Sequence, residues 1–177
     1  MATKVSLFKG DITTLQVDAI VNAANTSLMG GGGVDGAIHR AGGPAILADC
    51  RQIVARQGGC KTGQAVLTTG GNLKAAKVIH TVGPVWYGGQ RNESGLLASC
   101  YNNSLRLAVE NNIRSIAFPN ISTGVYNFPK QAAAAIAITS VRQFIAQQPT
   151  AFHEIIFACV DQENTTIYEQ LLSTNNT

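Results

Sequence analysis

Short runs rich in β-branched and apolar residues, at 5–8, 19–21, 65–69, 78–82, 115–118 and 155–160, alternate in this chain with longer segments whose apolar residues recur at helical spacing. That alternation constrains the fold most. An amphipathic helix must bury its apolar stripe, so strands separated by helices argue an α/β domain with a central sheet covered on both faces. The segment 44–57 carries Ile46, Leu47, Cys50, Ile53 and Val54 on one face, and 96–110 repeats the pattern with Leu97, Tyr101, Leu105 and Ala108. The segment 129–147 opens on Pro129 at an expected first helical position, has an alanine-rich middle and stops before Pro149; 164–172 makes a last short helix. Two early strands with a short connection, and the strands at 65–69 and 78–82 joined by Gly70-Gly71-Asn72, predict some antiparallel pairing and therefore a mixed sheet.

The length of 177 residues fits one domain, 1–177, large enough to bury roughly 70% of the surface its unfolded chain exposes. Apolar residues at 45% and charged ones at 13% are globular proportions, far from the disordered and membrane classes. The longest purely apolar run, 132–138, is too short to span a bilayer. Met1-Ala2-Thr3-Lys4 leads straight into a strand-like run without the apolar stretch of a secretory signal, so a cytoplasmic location is expected. Cys50, Cys60, Cys100 and Cys159 are scattered, with no C-x-x-C pair and no histidine at ligand spacing, which predicts reduced packing thiols and no metal. A net charge of +3 without any Lys/Arg run helps an anionic ligand mildly and is too diffuse for a nucleic-acid-binding stripe.

Chemistry concentrates after the second strand. Asn22-Ala-Ala-Asn25 is followed by four glycines, Gly30 to Gly33, and then by Val34, Ile38 and Ala41 at helical spacing. Consecutive glycines give the backbone access to positive φ and clear side chains from the main chain. A helix starting directly behind them adds its unpaired N-terminal donors, so the stretch reads as a pyrophosphate cradle. Asp35 then falls in the first turn of that helix. The pattern Gly31-x-Gly33-x-x-Gly36 also satisfies a dinucleotide fingerprint, but the strand at 17–21 ends well before the glycines, and Arg56 and Gln57 stand where an acidic residue is required. Hydride transfer is therefore disfavoured.

Together with Leu28-Met29, Val34-Asp35-Gly-Ala-Ile-His39-Arg40, Gly10-Asp11-Ile12-Thr13, His80-Thr-Val-Gly-Pro-Val-Trp86 and Ile121-Ser-Thr-Gly-Val-Tyr126, these residues resemble the macro domains, specifically the bacterial branch that hydrolyses ADP-ribose esters. The segments occur in the family's order and span nearly the whole chain. The resemblance implies a three-layer α/β/α sandwich with the ligand cleft at the carboxyl ends of the strands. It also implies an esterase that converts O-acetyl-ADP-ribose to ADP-ribose and acetate without cofactor or metal, and that extends to mono-ADP-ribose esters on protein Asp or Glu. A regulatory contact with ribonuclease III is implied by resemblance alone, and nothing in composition speaks for it. The rival reading is a non-catalytic ADP-ribose reader, which has no use for Asn25 and Asp35 together.

Read singly, each candidate residue also has a plain structural role. Asp11, after a strand and a glycine, is suited to a turn or N-cap. In the family the matching carboxylate accepts from the adenine amine, with the next backbone N–H, here that of Ile12, donating to the ring; a carboxylate accepts only, which favours adenine over guanine. Asn25 at a strand end tolerates a left-handed turn, while the resemblance puts its amide on the distal ribose or the attacking water. Asn22 reads as a structural residue that closes the loop.

Asp35 is expected to favour the helix N-terminus and to pair with His39 one turn on, and to serve as general base for the water. An ordinary carboxylate is only weakly basic, so slow turnover that relies on positioning is expected. Gly31, Gly32, Gly33 and Val34, with Ser122, Thr123, Gly124, Val125 and Tyr126, form the implied phosphate clamp, Tyr126 lying against the distal ribose. Ser122 lacks a G-x-S-x-G setting and is not expected to be a nucleophile. His80 and His153 read as structural, and Trp86 and Tyr87 as either core plugs or a lid. Asn127 and Asn120 depart from the family's glycine and small apolar residue, with asparagine able to keep a left-handed backbone. Val160 stands where many relatives carry an aromatic to stack on adenine.

Overall fold

The computed structural model describes residues 2–174; Met1 and the last three residues of the expected 1–177 unit lie outside the described residues. Six strands form one sheet: β1 (Lys4–Lys9), β2 (Ala19–Ala23), β3 (Ala65–Thr69), β4 (Lys77–Thr81), β5 (Ser115–Phe118) and β6 (Glu154–Cys159), in the order β1-β6-β5-β2-β4-β3. The helices are α1 (Gly33–Gly42), α2 (Pro44–Gln57), α3 (Glu93–Glu110), α4 (Lys130–Gln147) and α5 (Gln162–Ser173), with a 3₁₀ turn at Ile12–Thr14.

The sheet is mixed, but for one of the two expected reasons only. β3 and β4 pair antiparallel. The two early strands do not pair: β6 and β5 lie between β1 and β2, and every pairing from β1 through to β4 is parallel. The reason lies in the patterns of the strands. β2, β5 and β6 are apolar on both faces and take central places, whereas β1, only half-buried along its length, serves as an edge. Pro129 is the residue before α4, not its first helical residue, while Pro44 does open α2.

Alternate residues of the central strands feed two cores. Val21, Ile116, Phe118, Ile155 and Phe157 pack with Leu97, Tyr101 and Leu105 of α3, Ala137 and Val141 of α4 and Tyr168 of α5. Ile20, Val78, Ala117, Ile156 and Ala158 pack on the opposite face with Ile38 of α1 and Ile46 and Ile53 of α2. The result is an α/β/α sandwich whose two helical layers follow from the period-two alternation of the strands. The four cysteines are buried and free, and burial pushes the thiols of Cys50, Cys60 and Cys100 up to about 11, consistent with unreactive packing thiols. No helix among the described residues is long and apolar enough to cross a membrane.

α5 is opened by Asp161, whose carboxylate accepts from the Asn164 backbone N–H at 2.7 Å. That bond, chiefly, holds the Asp161 carboxyl below its usual range. Asp161→Ala is expected to lower unfolding stability by about 1 kcal/mol, the usual loss on removing an N-cap. Urea titration checks this, and an unchanged midpoint would show the cap to be dispensable.

Candidate functional site

A cavity of about 590 Å³ opens where β2, β5 and β6 end. Its walls are the segments after those strands, with the start of α1 on one side and the 122–126 loop on the other. In parallel sheets the strand ends present helix N-termini to this edge, which is why ligands collect there.

The glycine wall is held by Asn25. Its Nδ2 donates to the Gly30 carbonyl at 2.9 Å, and its Oδ1 accepts from Ser27 Oγ at 2.6 Å and from the Leu28 backbone N–H at 3.1 Å. Both ends of the amide thus brace the loop, but Asn25 is not itself left-handed as its residue type suggested; the positive φ, 62°, falls on Leu28, and one Nδ2 hydrogen has no partner. Gly30 and Gly33 adopt φ of 91° and 55°, where a side chain would be strained. α1 starts without a side-chain cap, so its first backbone N–H groups, at Gly33, Val34 and Asp35, remain free at the cavity wall.

Asp35 enters from the first turn of α1 and is buried. Its Oδ1 accepts from Asn22 Nδ2 at 2.8 Å and lies 3.4 Å from His39 Nε2, the pairing expected from the spacing. Gly31 lies beside its other oxygen: a Cβ at Gly31 would stand 3.3 Å from Asp35 Oδ2 and 3.5 Å from Asn25 Nδ2. Gly31, Asn25 and Asp35 therefore converge on one patch of the wall.

Facing them, Ser122 and Asn127 both have positive φ, 69° and 62°. The loop between them is tied by Phe128 N–H to the Ser122 carbonyl and by Asn127 N–H to the Gly124 carbonyl, each at 2.9 Å. Asn127 does keep the left-handed backbone that its substitution for glycine requires. Asn127→Ala should lose about 1 kcal/mol, since alanine tolerates the αL conformation less well than asparagine does; thermal denaturation measures this, and Asn127→Gly should be at least as stable as the parent. Val125 is 91% exposed, so it meets the cavity only from the rim. Ser122 Oγ is buried and has no hydrogen-bond partner; it packs on Gly83, where any Cβ would collide with it.

Trp86 and Tyr87 are not part of the cavity lining. The Trp86 ring packs tilted, at 53°, against Phe128 with centroids 4.7 Å apart, and its backbone N–H donates to the Tyr126 carbonyl at 2.9 Å, bracing the 122–126 loop from behind. Tyr87 is 57% exposed under the Arg91 guanidinium. This segment is ordered by Glu93, a residue sequence reading overlooked. Burial opposes its charge, but N–H groups of Tyr87, Arg91 and Gly89 converge on the carboxylate and bring its pKa down to about 2.

At the other end of the cavity Ile12 is buried in the wall. Asp11, expected at the adenine, is not among the lining residues: it is exposed beside them and caps the 3₁₀ turn, its Oδ1 accepting from Thr13 N–H at 2.9 Å and Thr13 Oγ1 at 2.7 Å, while Oδ2 is uncommitted. Val160 is exposed at the lining and presents no aromatic surface. Lys130, Asp161 and Asn164 also line the cavity. Nothing in their spacing signalled this, beyond their following the ends of β5 and β6. Lys130 Nζ pairs with Glu163 at 2.6 Å. No group of three or more His, Cys, Asp or Glu able to hold a metal occurs among the described residues.

The model of the Macro domain family matches residues 21–137, the stretch from β2 into α4 that carries both cavity walls. A protein of Klebsiella pneumoniae (strain 342) named O-acetyl-ADP-ribose deacetylase is 57% identical over 173 residues, covering 98% of each chain. Among solved structures, the Oceanobacillus iheyensis macrodomain with ADP superimposes with a TM-score of 0.90 at 40% identity, over 95% of this chain and 89% of the other. The Trypanosoma brucei macrodomain in complex with ADP-ribose gives 0.87 at 45%, over 95% and 68%. The family match, the relative at 57% identity and the two superpositions agree, and the chain belongs to the Macro domain family.

Proposed function

We propose that this protein is an O-acetyl-ADP-ribose deacetylase in which Asp35 acts as general base. The observation that carries the reading is the meeting of Asp35 Oδ2, Asn25 Nδ2 and Gly31 on one wall, beside free N–H groups at the start of α1. A non-catalytic reader gains nothing from a buried carboxylate next to its anion site, because that charge repels the phosphates. The near-full-length likeness to the Klebsiella deacetylase supports the same substrate.

In this reading the pyrophosphate lies between the α1 N-terminus and the 122–126 loop, held by backbone N–H groups. Adenine occupies the Ile12 end, with the free Asp11 oxygen accepting from its amine, and the distal ribose lies between Asn25 and Tyr126. Asn25 Nδ2 and Asp35 Oδ2 then hold one water. The water oxygen attacks the acyl carbon while Asp35 takes its proton. The tetrahedral intermediate collapses with cleavage of the acyl C–O bond, and the ribose oxygen leaves as a hydroxyl on receiving that proton. Acetate and ADP-ribose are formed, with one proton released to solvent. An ester of ADP-ribose with a protein Asp or Glu presents the same acyl carbon and ribose oxygen, so removal of mono-ADP-ribose from such side chains follows from the same chemistry.

Incubation with O-acetyl-ADP-ribose, with and without a chelator, tests this reading. Chelator-resistant appearance of ADP-ribose and acetate is expected. Tight ADP-ribose binding with an intact ester would make the protein a reader.

A further inference from the structure

Behind Asp35 lies a chain of buried polar groups that the hydrolysis above does not use. Asn22 on β2 and His80 on β4 are register partners on the face that meets α1 and α2. Both are essentially solvent-free, as is Thr68 on β3. Asn22 Nδ2 donates to Asp35 Oδ1 at 2.8 Å and lies 3.0 Å from His80 Nδ1; His80 Nε2 lies 2.9 Å from Thr68 Oγ1, which donates to the Thr69 carbonyl at 3.0 Å.

Donor and acceptor roles in this chain admit one consistent assignment. Turning the Asn22 amide over would set its oxygen against the Asp35 carboxylate, so Nδ2 faces both neighbours and uses both hydrogens. His80 Nδ1 must then accept, which puts the imidazole proton on Nε2, facing the Thr68 hydroxyl. Burial, chiefly, with the nearby His39, lowers the His80 pKa to about 3, in keeping with a neutral ring. The arrangement leaves Asn22 Oδ1 buried without a partner. A residue kept only for packing has no reason to carry an orphaned oxygen.

We propose that His80 is a positioning residue for Asp35: by accepting from Asn22, with Thr68 fixing its tautomer, it holds the Asn22 amide so that Asp35 Oδ1 is tied down and Oδ2 is left beside Gly31 on the cavity wall. The proposal rests on the reading of Asp35 as base. Without an acceptor at position 80 the amide is free to turn, and the carboxylate loses the donor that sets its rotamer.

His80→Asn and His80→Leu make an isosteric pair. Both open the same space on the Thr68 side, but asparagine can place an oxygen near the former Nδ1 position. Both are compared with Asp35→Asn for kcat on O-acetyl-ADP-ribose and for ADP-ribose affinity. His80→Leu is expected to lower kcat about 10- to 100-fold, as small misplacements of a reacting group do, with ADP-ribose Kd within about twofold; His80→Asn is expected to recover most of that loss. Equal kcat in the two variants, or a shared loss of ADP-ribose affinity, overturns the positioning role while an inactive Asp35→Asn leaves the base assignment standing. An active Asp35→Asn overturns both. If neither His80 variant folds, Thr68→Val decides: at nearly constant volume it removes the hydroxyl acceptor for Nε2–H and leaves there only the weak Cys50 Sγ, 4.0 Å away. A reduced kcat with a shift of the imidazole ¹⁵N resonances away from the Nε2–H tautomer is expected, and unchanged kcat with unchanged resonances refutes the proposal.

Discussion

Asp35→Ala is expected to reduce kcat on O-acetyl-ADP-ribose by about 10²- to 10⁴-fold, the range over which a positioned general base acts, while ADP-ribose still binds. The split follows from placement. Asp35 Oδ1 is engaged by Asn22 and lies near His39, whereas the free donors at the start of α1 are backbone groups that the substitution leaves in place. The variant also loses some stability, because a buried Asn22 N–H is left unpaired, a loss on the order of 1 to 3 kcal/mol. Calorimetric ADP-ribose binding and a circular dichroism melt, run beside the kinetics, separate these effects. Loss of binding in a folded Asp35→Ala protein would show that the carboxylate helps hold the ligand, and would remove it as a dedicated base.

Gly36→Ala is expected to weaken both the fold and ligand binding. Gly36 is buried one turn into α1, and an added Cβ would stand 2.6 Å from the Gly31 carbonyl oxygen and 3.0 Å from the Arg40 guanidinium. The arginine end is flexible and gives way; the carbonyl is backbone and does not. Overpacking of this kind loses about 1 to 3 kcal/mol. Here the displaced segment is itself the glycine wall of the cavity. If that strain falls on the binding conformation, ADP-ribose affinity drops by roughly ten- to a hundredfold. Gly32→Ala is the control for stability, because its added Cβ meets no protein atom within 4 Å, and it should unfold nearly as the parent does. Equal behaviour of the two variants would mean that the loop accommodates the extra methyl and that close packing against α1 is not what shapes it.

The layers of the fold were legible in the sequence because burial on both faces leaves a signature: all six strand-like runs fall on observed strands, and the helical stripes point to two cores. Strand order was not, since the short link from β1 to β2 looks like a hairpin connection yet joins strands with two others between them. The glycine run and Asp35 were visible because four consecutive glycines directly before a helical pattern mark a backbone requirement that residue types alone display. His80 looked like an ordinary strand histidine. Its link to Asp35 runs through Asn22 and exists only once β2 and β4 pair in register. Glu93 was hidden for a similar reason, its partners being backbone N–H groups of a loop that only folding brings around it. Lys130, Asp161 and Asn164 reach the cavity through the topology, and periodicity carries no trace of it.

In the proposed reaction water activated at Asp35 attacks the acyl carbon of an ADP-ribose ester. Hydrolysis of O-acetyl-ADP-ribose in ¹⁸O-labelled water, with both products analysed by mass spectrometry, tests it most directly. One ¹⁸O in the acetate and none in the ADP-ribose is the predicted result. An intact ester, or label in the ribose with unlabelled acetate, would contradict it.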